Sequence, residues 1–258
     1  PSTVGQQCPR GAFFRGAPGG FVGAQGRITE VATAMVEAKA SGKRRGPGRP
    51  KDDQAVREVI LDQAELAFAE HGFAGTKVRD IARAAGVNQN MIRYYFGTKD
   101  ELFDAVYRRH GGVISRGRHE RLDALLTDDG RPTVPQLIHA YLKPQWDMKY
   151  SGPGGAAFVR LQARLHAEPA EYALRLRREV YDDSLRRYIQ ALSEALPGIP
   201  REVISVRMAF LVGTYMFMLN DLGRLNDLTD GQIGEPGRDE MLRQLVLFLT
   251  AGLTAPLE

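Results

Sequence analysis

The hydrophobic and polar positions between residues 53 and 110 repeat with the period of short amphipathic helices. Apolar residues recur at spacings of three and four from Val56 to Phe68, the pattern of one buried helical face, and Gly72 follows where that helix can end. The same spacing returns from Val78 to Ala85, and Gly86 then marks a second helix end. The pattern therefore predicts a longer helix, then a short helix closed by a glycine turn.

The helix predicted after this turn has a polar face. Asn88 is suited to its start, because its side-chain oxygen can accept a hydrogen bond from a free backbone N–H. Ile92, Tyr95 and Phe96 are expected to point inward. The outward positions have side chains that can contact base edges: Gln89, Asn90, Arg93 and Tyr94. Two short helices joined in this way predict a helix-turn-helix, whose second helix fits the major groove of DNA.

The pattern after the helix-turn-helix stays helical. Thr98 and Glu101 form a capping box, which predicts the start of a further helix. Turn-forming residues then separate candidate helices, and no alternating strand pattern occurs. The candidate helices lie near 113–126, 134–149, 155–167, 170–196, 200–226 and 237–254. The fold class is thus predicted to be all-α, with an N-terminal three-helix helix-turn-helix domain and a C-terminal helical domain for ligand binding and dimerisation.

Several short motifs in a fixed order resemble the DNA-binding domain of the TetR family of transcriptional regulators. They are Phe73 to Thr76, Ile81-Ala82, Ala85 to Val87 and Tyr95 to Leu102, and the resemblance covers roughly residues 53 to 110. The chain departs from the family pattern at Asn88, Asn90 and Arg93, so the base preferences of the family cannot be transferred.

The resemblance implies a homodimeric regulator, a repressor that a small-molecule effector releases from a palindromic operator. On this reading Thr76, Lys77, Tyr95 and Lys99 hold phosphates of double-stranded DNA, Asn88 caps the recognition helix, and Gln89, Asn90, Arg93 and Tyr94 face the bases. The expected organisation is a basic arm over residues 1–51, the DNA-binding domain over 52–110, and the effector-binding and dimerisation domain over 111–258.

The positive charge of the chain is concentrated in the arm. Residues 1–51 hold nine Lys and Arg against two Glu, a balance of +7, whereas the remainder holds 26 basic against 29 acidic residues, a balance of −3. Lys43 to Lys51 resembles an AT-hook, which predicts that Arg49 enters a minor groove; the alternative is a solubilising tail. We expect this arm to be disordered, and we expect natural translation to start at Met35, so that residues 1–34 would not belong to the native protein.

Two C-terminal segments are apolar almost all round, Ala209 to Leu219 and Leu245 to Leu249. A helix without a polar face needs burial on every side, and a symmetric four-helix bundle between two copies supplies it. The alternative is that both helices pack within one subunit.

Ala209 to Leu219 is judged too short to span a bilayer, and the single cysteine, Cys8, suits a reducing cytoplasm. No membrane contact is therefore expected.

An effector cavity in the C-terminal domain would need an adaptable apolar lining. The candidates are aromatic and methionine side chains together with two arginines and one amide: Tyr141, Trp146, Phe158, Arg160, Arg164, Met208, Tyr215, Met216 and Asn220. The alternative is that the aromatic residues are ordinary core and that Arg164 pairs with Glu168 on the surface.

No catalytic motif, cofactor motif or paired histidine spacing is present in the sequence, so no enzyme, cofactor or metal site is predicted. Two rival functions remain open. The first is an architectural DNA-binding protein without regulation, and the second is an enzyme or metal-dependent sensor in the C-terminal helices.

Overall fold

The computed structural model describes residues 50–127, 130–167, 171–221 and 237–257, together with residues 227, 230 and 231. Every regular element in these ranges is an α-helix, which confirms the predicted all-α fold class. The N-terminal helices are α1 (Pro50–Gly75), α2 (Val78–Ala84), α3 (Gln89–Phe96) and α4 (Lys99–Thr127). The C-terminal helices are α5 (Val134–Lys149), α6 (Pro153–Ala167), α7 (Glu171–Ala195), α8 (Arg201–Asp221) and α9 (Arg238–Thr254).

Helix α1 begins at Pro50, inside the predicted arm, because proline is well suited to the first position of a helix. Near its other end Gly72 adopts φ 70° and ψ 177°, a conformation that glycine tolerates at little cost and that breaks the regular helix as expected. The Thr76 hydroxyl contacts the carbonyls of Gly72 at 2.7 Å and Ala67 at 3.1 Å, which secures the end of α1.

Helix α4 continues through the position where a boundary between two helices was predicted. The expected break between residues 110 and 113 is wrong, because Gly111 serves close packing and not helix termination. A Cβ atom at Gly111 would lie 2.7 Å from Val180 Cγ1 and 3.0 Å from the Tyr181 hydroxyl, both on α7. The predicted domain boundary at 110/111 therefore falls inside one continuous helix.

Two hydrophobic cores fill the described part of the molecule. The first core joins α1–α4 to α6 and α7, with Phe68, Phe103 and Tyr107 among its buried aromatic residues. The second core lies between α4, α5, α7, α8 and α9, and it includes Tyr141 and Tyr215. Because α6 and α7 contribute to the first core, the helix-turn-helix is packed directly on the C-terminal helices.

Helix α8 has one buried and one bare face. Ile204, Met208 and Leu211 lie on the buried face, whereas Phe210 and Phe217 are 67% and 62% exposed. By length and composition alone, the longer segment Arg201–Asn220, which contains Ala209 to Leu219, is apolar enough to cross a membrane. Arg207 Nη1 donates to the carbonyl of Leu253, in the last turn of α9, and to the carbonyl of Ala255, directly after that helix. These bonds hold α8 against the end of α9.

Candidate nucleic-acid interface and internal cavity

The turn between α2 and α3 follows from a glycine and an asparagine. Gly86 adopts φ 66°, and the Val87 N–H donates to the Ala82 carbonyl at 3.0 Å, which closes the end of α2. The Asn88 side chain then accepts a hydrogen bond from the Met91 N–H at 2.9 Å. This is the predicted N-cap of α3, and it fixes the direction in which the helix leaves the turn.

The predicted faces of α3 are found in the structure. Ile92 and Phe96 are buried in the first core and anchor the helix. The outward side chains are all exposed, with Tyr94 at 79%: Gln89, Asn90, Arg93 and Tyr94. None of these four side chains forms a hydrogen bond or ion pair with another described side chain. A set of free donors and acceptors on one helical face is the arrangement that contact with base edges requires.

The residues predicted to hold phosphates differ in how accessible their polar groups are. Lys77 is exposed at the start of α2. Lys99 is half-buried, with Nζ 4.5 Å from the centre of the Phe73 ring. Thr76 is only 3% exposed and its hydroxyl is bonded to backbone carbonyls, so its side chain is not available to a phosphate, contrary to the expectation.

The Tyr95 hydroxyl donates to the Asp53 carboxylate on α1. Burial raises the pKa of Tyr95 to about 12, and the neighbouring Asp53 adds to the shift. The phenol therefore stays protonated, and its O–H is bonded to α1. The sequence had led us to expect that this O–H would contact a phosphate, but it is not free to do so. Arg49 lies outside the described residues, together with residues 1–48 of the basic arm.

The capping box at the start of α4 is present as predicted. The Thr98 N–H donates to Glu101 Oε2 at 2.8 Å, and the Glu101 N–H donates to Thr98 Oγ1 at 3.2 Å. The Thr98 hydroxyl also donates to Glu101 Oε2 at 2.9 Å, and the bonds from the Thr98 N–H and hydroxyl hold the pKa of the Glu101 carboxyl below its ordinary value. The start of α4 is thereby fixed beside the end of α3.

A cavity of about 310 Å³ opens between α4, α5, α6, α7 and α8. Tyr141, Tyr215 and Met216, three of the residues predicted for an effector cavity, are part of its lining. The Tyr215 hydroxyl donates to the Leu142 carbonyl at 2.7 Å, and burial raises its pKa well above the ordinary value. The cavity therefore has a fixed aromatic wall on the side of α5 and α8.

The other predicted ligand residues do not line this cavity. Phe158 is buried in the first core beside Tyr107, and Trp146 and Met208 belong to the second core. Arg160 is exposed, and Asn220 donates to the Met216 carbonyl at 2.8 Å. The spacing of the aromatic residues along the helices identified buried positions correctly. It could not distinguish buried side chains that line the cavity from those that pack on another helix.

Arg164 also points away from the cavity. Its Nη2 donates to the Glu70 carbonyl at 3.1 Å, so the side chain joins α6 to α1. The alternative pairing with Glu168 falls on a residue outside the described ranges.

The polar part of the cavity was missed by the sequence analysis. Its buried or half-buried members come from α4, α5, α6 and α7: Arg118, Gln145, Gln162, His166, Arg177 and Asp182. Gln145 Nε2 donates to Gln162 Oε1 at 2.7 Å, which links α5 to α6 across the cavity. Arg118 could have been suspected, because it lies four residues after Ile114 and four before Leu122, on the inward face of α4.

No group of His, Cys, Asp and Glu suited to a metal ion is found in the described ranges.

Two family models match this chain. Residues 60–106 match the model described as bacterial regulatory proteins of the tetR family, and residues 139–252 match the model described as the C-terminal domain of tetracyclin repressor-like proteins. The first match covers the helix-turn-helix, and the second covers the bare face of α8 and every cavity-lining residue named above except Arg118.

Curated relatives are similar over part of the chain. The HTH-type transcriptional repressor Rv3405c of Mycobacterium tuberculosis is 32% identical over 106 residues, which are 39% of this chain and 56% of that protein. The alignment therefore spans little more than half the length of that relative.

Solved structures show the same fold. HlyIIR, a hemolysin II transcriptional regulator, superposes with a TM-score of 0.54 at 16% identity, over 77% of this chain and 98% of that one. FadR of Bacillus subtilis, solved in complex with stearoyl-CoA, superposes with a TM-score of 0.55 at 16% identity, over 76% and 98%.

Proposed function

We propose that this chain, which belongs to the TetR family of regulatory proteins, is a homodimeric repressor that binds a palindromic DNA operator and is released by a small-molecule effector. The observation that supports this most strongly is the polar face of α3, which projects from the fold while Ile92 and Phe96 anchor its other side. A protein with this function acts on DNA in the cytoplasm, and none of its steps requires catalysis.

The DNA contacts divide into two groups. Gln89, Asn90, Arg93 and Tyr94 face the bases of the major groove, where amide and guanidinium groups distinguish adenine and guanine edges. Lys77 and Lys99 neutralise phosphates beside the groove. Asn88 acts through the cap that orients α3, and Tyr95 acts through its bond to Asp53, which holds α3 against α1.

The bare faces of α8 and α9 are the proposed dimer interface. Phe210 and Phe217 on α8 and Leu247 and Phe248 on α9 are more than half exposed. Four large apolar side chains on two packed helices form the kind of patch that marks a protein contact. Pairing with a second copy covers both helices and places two α3 helices about 34–36 Å apart, one turn of DNA. A dimer explains this surface better than packing within one subunit, because that packing leaves these side chains uncovered.

Helix α6 is the proposed link between the effector cavity and DNA. It contributes Gln162 and His166 to the cavity lining, and two residues after Gln162 it presents Arg164 to the Glu70 carbonyl of α1. A ligand that displaces α6 would shift the end of α1 and with it the helix-turn-helix. Effector binding and operator binding are then coupled through two arrangements of one helix.

The experiment that tests the proposal is a selection of genomic DNA fragments on the purified protein, followed by affinity measurements on the selected fragment and on random DNA of equal length. We expect the selected fragment to contain an inverted repeat and to bind at least about 10³-fold more tightly than random DNA at physiological salt. Equal affinity for both, with the same salt dependence, would contradict the proposal and support an architectural protein.

A further inference from the structure

The cavity between α4, α5, α6, α7 and α8 contains a buried guanidinium that no described carboxylate neutralises. Arg118 is 3% exposed, and its hydrogen bonds are all to uncharged groups. Its Nε donates to the Tyr141 carbonyl at 3.0 Å, and its Nη2 donates to Gln145 Oε1 at 3.1 Å. The guanidinium carbon also lies 3.8 Å from the centre of the Tyr141 ring. A buried charge held only by dipoles and a π-face is costly to maintain unless a counter-ion enters.

The remaining charged residues of the lining add to this excess. Arg177 has a buried Nε without a hydrogen-bond partner among the described residues. Asp182, the one carboxylate of the described lining, accepts a hydrogen bond from Arg186 at 3.0 Å, and Arg186 is not part of the lining. Arg178 lies 3.7 Å from Glu171, which is also outside the lining. Arg118 and Arg177 are therefore the two arginines of the lining that form no ion pair with a described carboxylate.

The other walls of the cavity are apolar. Leu174 and Leu185 on α7 face Val212 and Met216 on α8, and the volume of about 310 Å³ is at the lower end of the range for small-molecule sites. A ligand that fills this space must present one anionic end to the arginines and a hydrocarbon surface to these side chains.

We propose that the ligand of this cavity is an amphipathic carboxylic acid, whose carboxylate lies between Arg118 and Arg177 and whose apolar body contacts α7 and α8. The parallel N–H groups of a guanidinium match the two oxygens of a carboxylate. The two oxygens of one carboxylate can accept hydrogen bonds from both arginines, and the apolar side chains of α7 and α8 leave room for a hydrocarbon body beside it. This inference deepens the effector site of the proposed function and rests on it for its biological role.

The test is direct binding of a panel of probes to the full chain without DNA, measured by calorimetry. Hexanoate, octanoate, decanoate and 4-phenylbutyrate are each compared with the alcohol and the amine of the same carbon skeleton. We expect at least one carboxylate to bind, and its alcohol and amine to bind at least about tenfold more weakly, because a charge-assisted hydrogen bond is lost. Binding of the alcohols or amines as tightly as the acids, or no binding by any carboxylate, would overturn the proposal.

Two arginine variants locate the carboxylate, with a third as the matched control. The Nε atom of Arg177 has no hydrogen-bond partner among the described residues, so Arg177→Gln should leave the fold intact. It should weaken the binding of the carboxylate at least about tenfold. Arg118→Lys keeps the charge but removes the planar fork, and a weaker effect of the same sign is expected. Arg116→Gln, at an exposed position of α4 outside this lining, should bind as the original chain does. Unchanged binding by a folded Arg177→Gln variant would also overturn the proposal.

The outcome can be separated from that of the proposed function. If a carboxylate binds with the expected charge preference but the chain shows no preference among DNA fragments, the repressor proposal fails and the ligand class stands. If operator binding is specific but the cavity does not distinguish acids from alcohols, the ligand class fails and the repressor proposal stands.

Discussion

Arg164 on α6 donates from Nη2 to the backbone carbonyl of Glu70 on α1 at 3.1 Å. The acceptor, Glu70, lies near the C-terminal end of α1, two residues before Gly72 breaks the helix. The donor, Arg164, lies on α6, which also contributes Gln162 and His166 to the cavity. One charge-assisted hydrogen bond thus connects the helix that lines the cavity with the helix that supports α2 and α3.

The first prediction concerns this connection. Arg164→Ala leaves the Glu70 carbonyl without its partner, so the amides near the end of α1 should exchange with solvent faster, and the coupling between cavity and DNA should change by about 0.5–2 kcal/mol. Hydrogen–deuterium exchange of residues 70–76 measures the first effect. Arg160→Ala, at an exposed position one turn earlier on α6, is the control and should leave this exchange unchanged. Equal exchange in both variants would show that the bond does not hold α1.

The second prediction separates base reading from phosphate contact. Arg93→Ala should cost about 1–3 kcal/mol of binding to the selected operator and little on random DNA, because its exposed guanidinium faces the bases. Lys77→Ala should weaken binding to both DNAs alike and reduce the slope of affinity against salt by about one. Fluorescence anisotropy titrations at several salt concentrations measure both effects. If Arg93→Ala and Gln89→Ala both leave operator affinity unchanged, the orientation assigned to α3 is wrong.

The third prediction tests the cap of α3. Asn88→Ala removes the acceptor of the Met91 N–H and should lower the free energy of unfolding by about 1 kcal/mol, whereas Asn88→Ser should restore most of it. Asn90→Ala, at an exposed position in the first turn of the same helix, is the matched control. Urea unfolding measures the three variants, and an equal loss for Asn88→Ala and Asn88→Ser would argue against capping.

The fourth prediction uses two adjacent glycines of α4. Gly111→Ala places a methyl group 2.7 Å from Val180 Cγ1 and should destabilise the protein by about 1–3 kcal/mol through overpacking. Gly112→Ala meets nothing within 4 Å and should stabilise the helix by up to about 1 kcal/mol. Thermal unfolding of the two variants gives the signs directly. Stabilisation by both substitutions would mean that α4 and α7 are not packed closely at Gly111.

The fifth prediction is a dependence of stability on pH. Burial lowers the pKa of His166 below the ordinary value of 6.5, and the charges of Arg177 and Arg118 lower it further, against a hydrogen bond to the Gln162 carbonyl that raises it. The unfolded chain therefore binds a proton at this ring at a higher pH than the folded chain. The contribution of His166 to stability is present above about pH 6.5 and is lost as the pH falls through the folded pKa.

His166→Gln should accordingly reduce the loss of unfolding free energy between pH 7.5 and pH 5.5, measured by urea unfolding at about these two values. Part of the loss should remain, because burial also lowers the pKa of His139. His71→Gln, at an exposed position of α1, is the control. An unchanged difference between the two pH values in His166→Gln would contradict this assignment.

The helix-turn-helix could be predicted almost residue by residue, because its information is local. The spacing of Ile92 and Phe96 fixes which side of α3 is buried, and the cap at Asn88 and the turn at Gly86 need no distant residue. The break expected near Gly111 failed for the opposite reason. Glycine allows both helix termination and close packing, and the neighbour that decides, Val180, lies far along the sequence.

The cavity was predicted only in part. Tyr141 and Phe158 look alike in the hydrophobic pattern, yet one lines the void and the other packs on Tyr107, since two neighbouring helices decide which face meets empty space. Arg118 was missed because an arginine within a helix usually reaches solvent. Its burial depends on acceptors from α5 that the sequence around it does not reveal.

The central claim is that two copies of the chain place the face from Gln89 to Tyr94 in successive major grooves of one operator. Dimethyl sulfate protection of guanine N7 on the selected fragment tests it most directly, because N7 lies in the major groove. The claim predicts two protected patches related by the inverted repeat, with centres about 10–10.5 base pairs apart. A single protected patch, or none where the protein is bound, would contradict it.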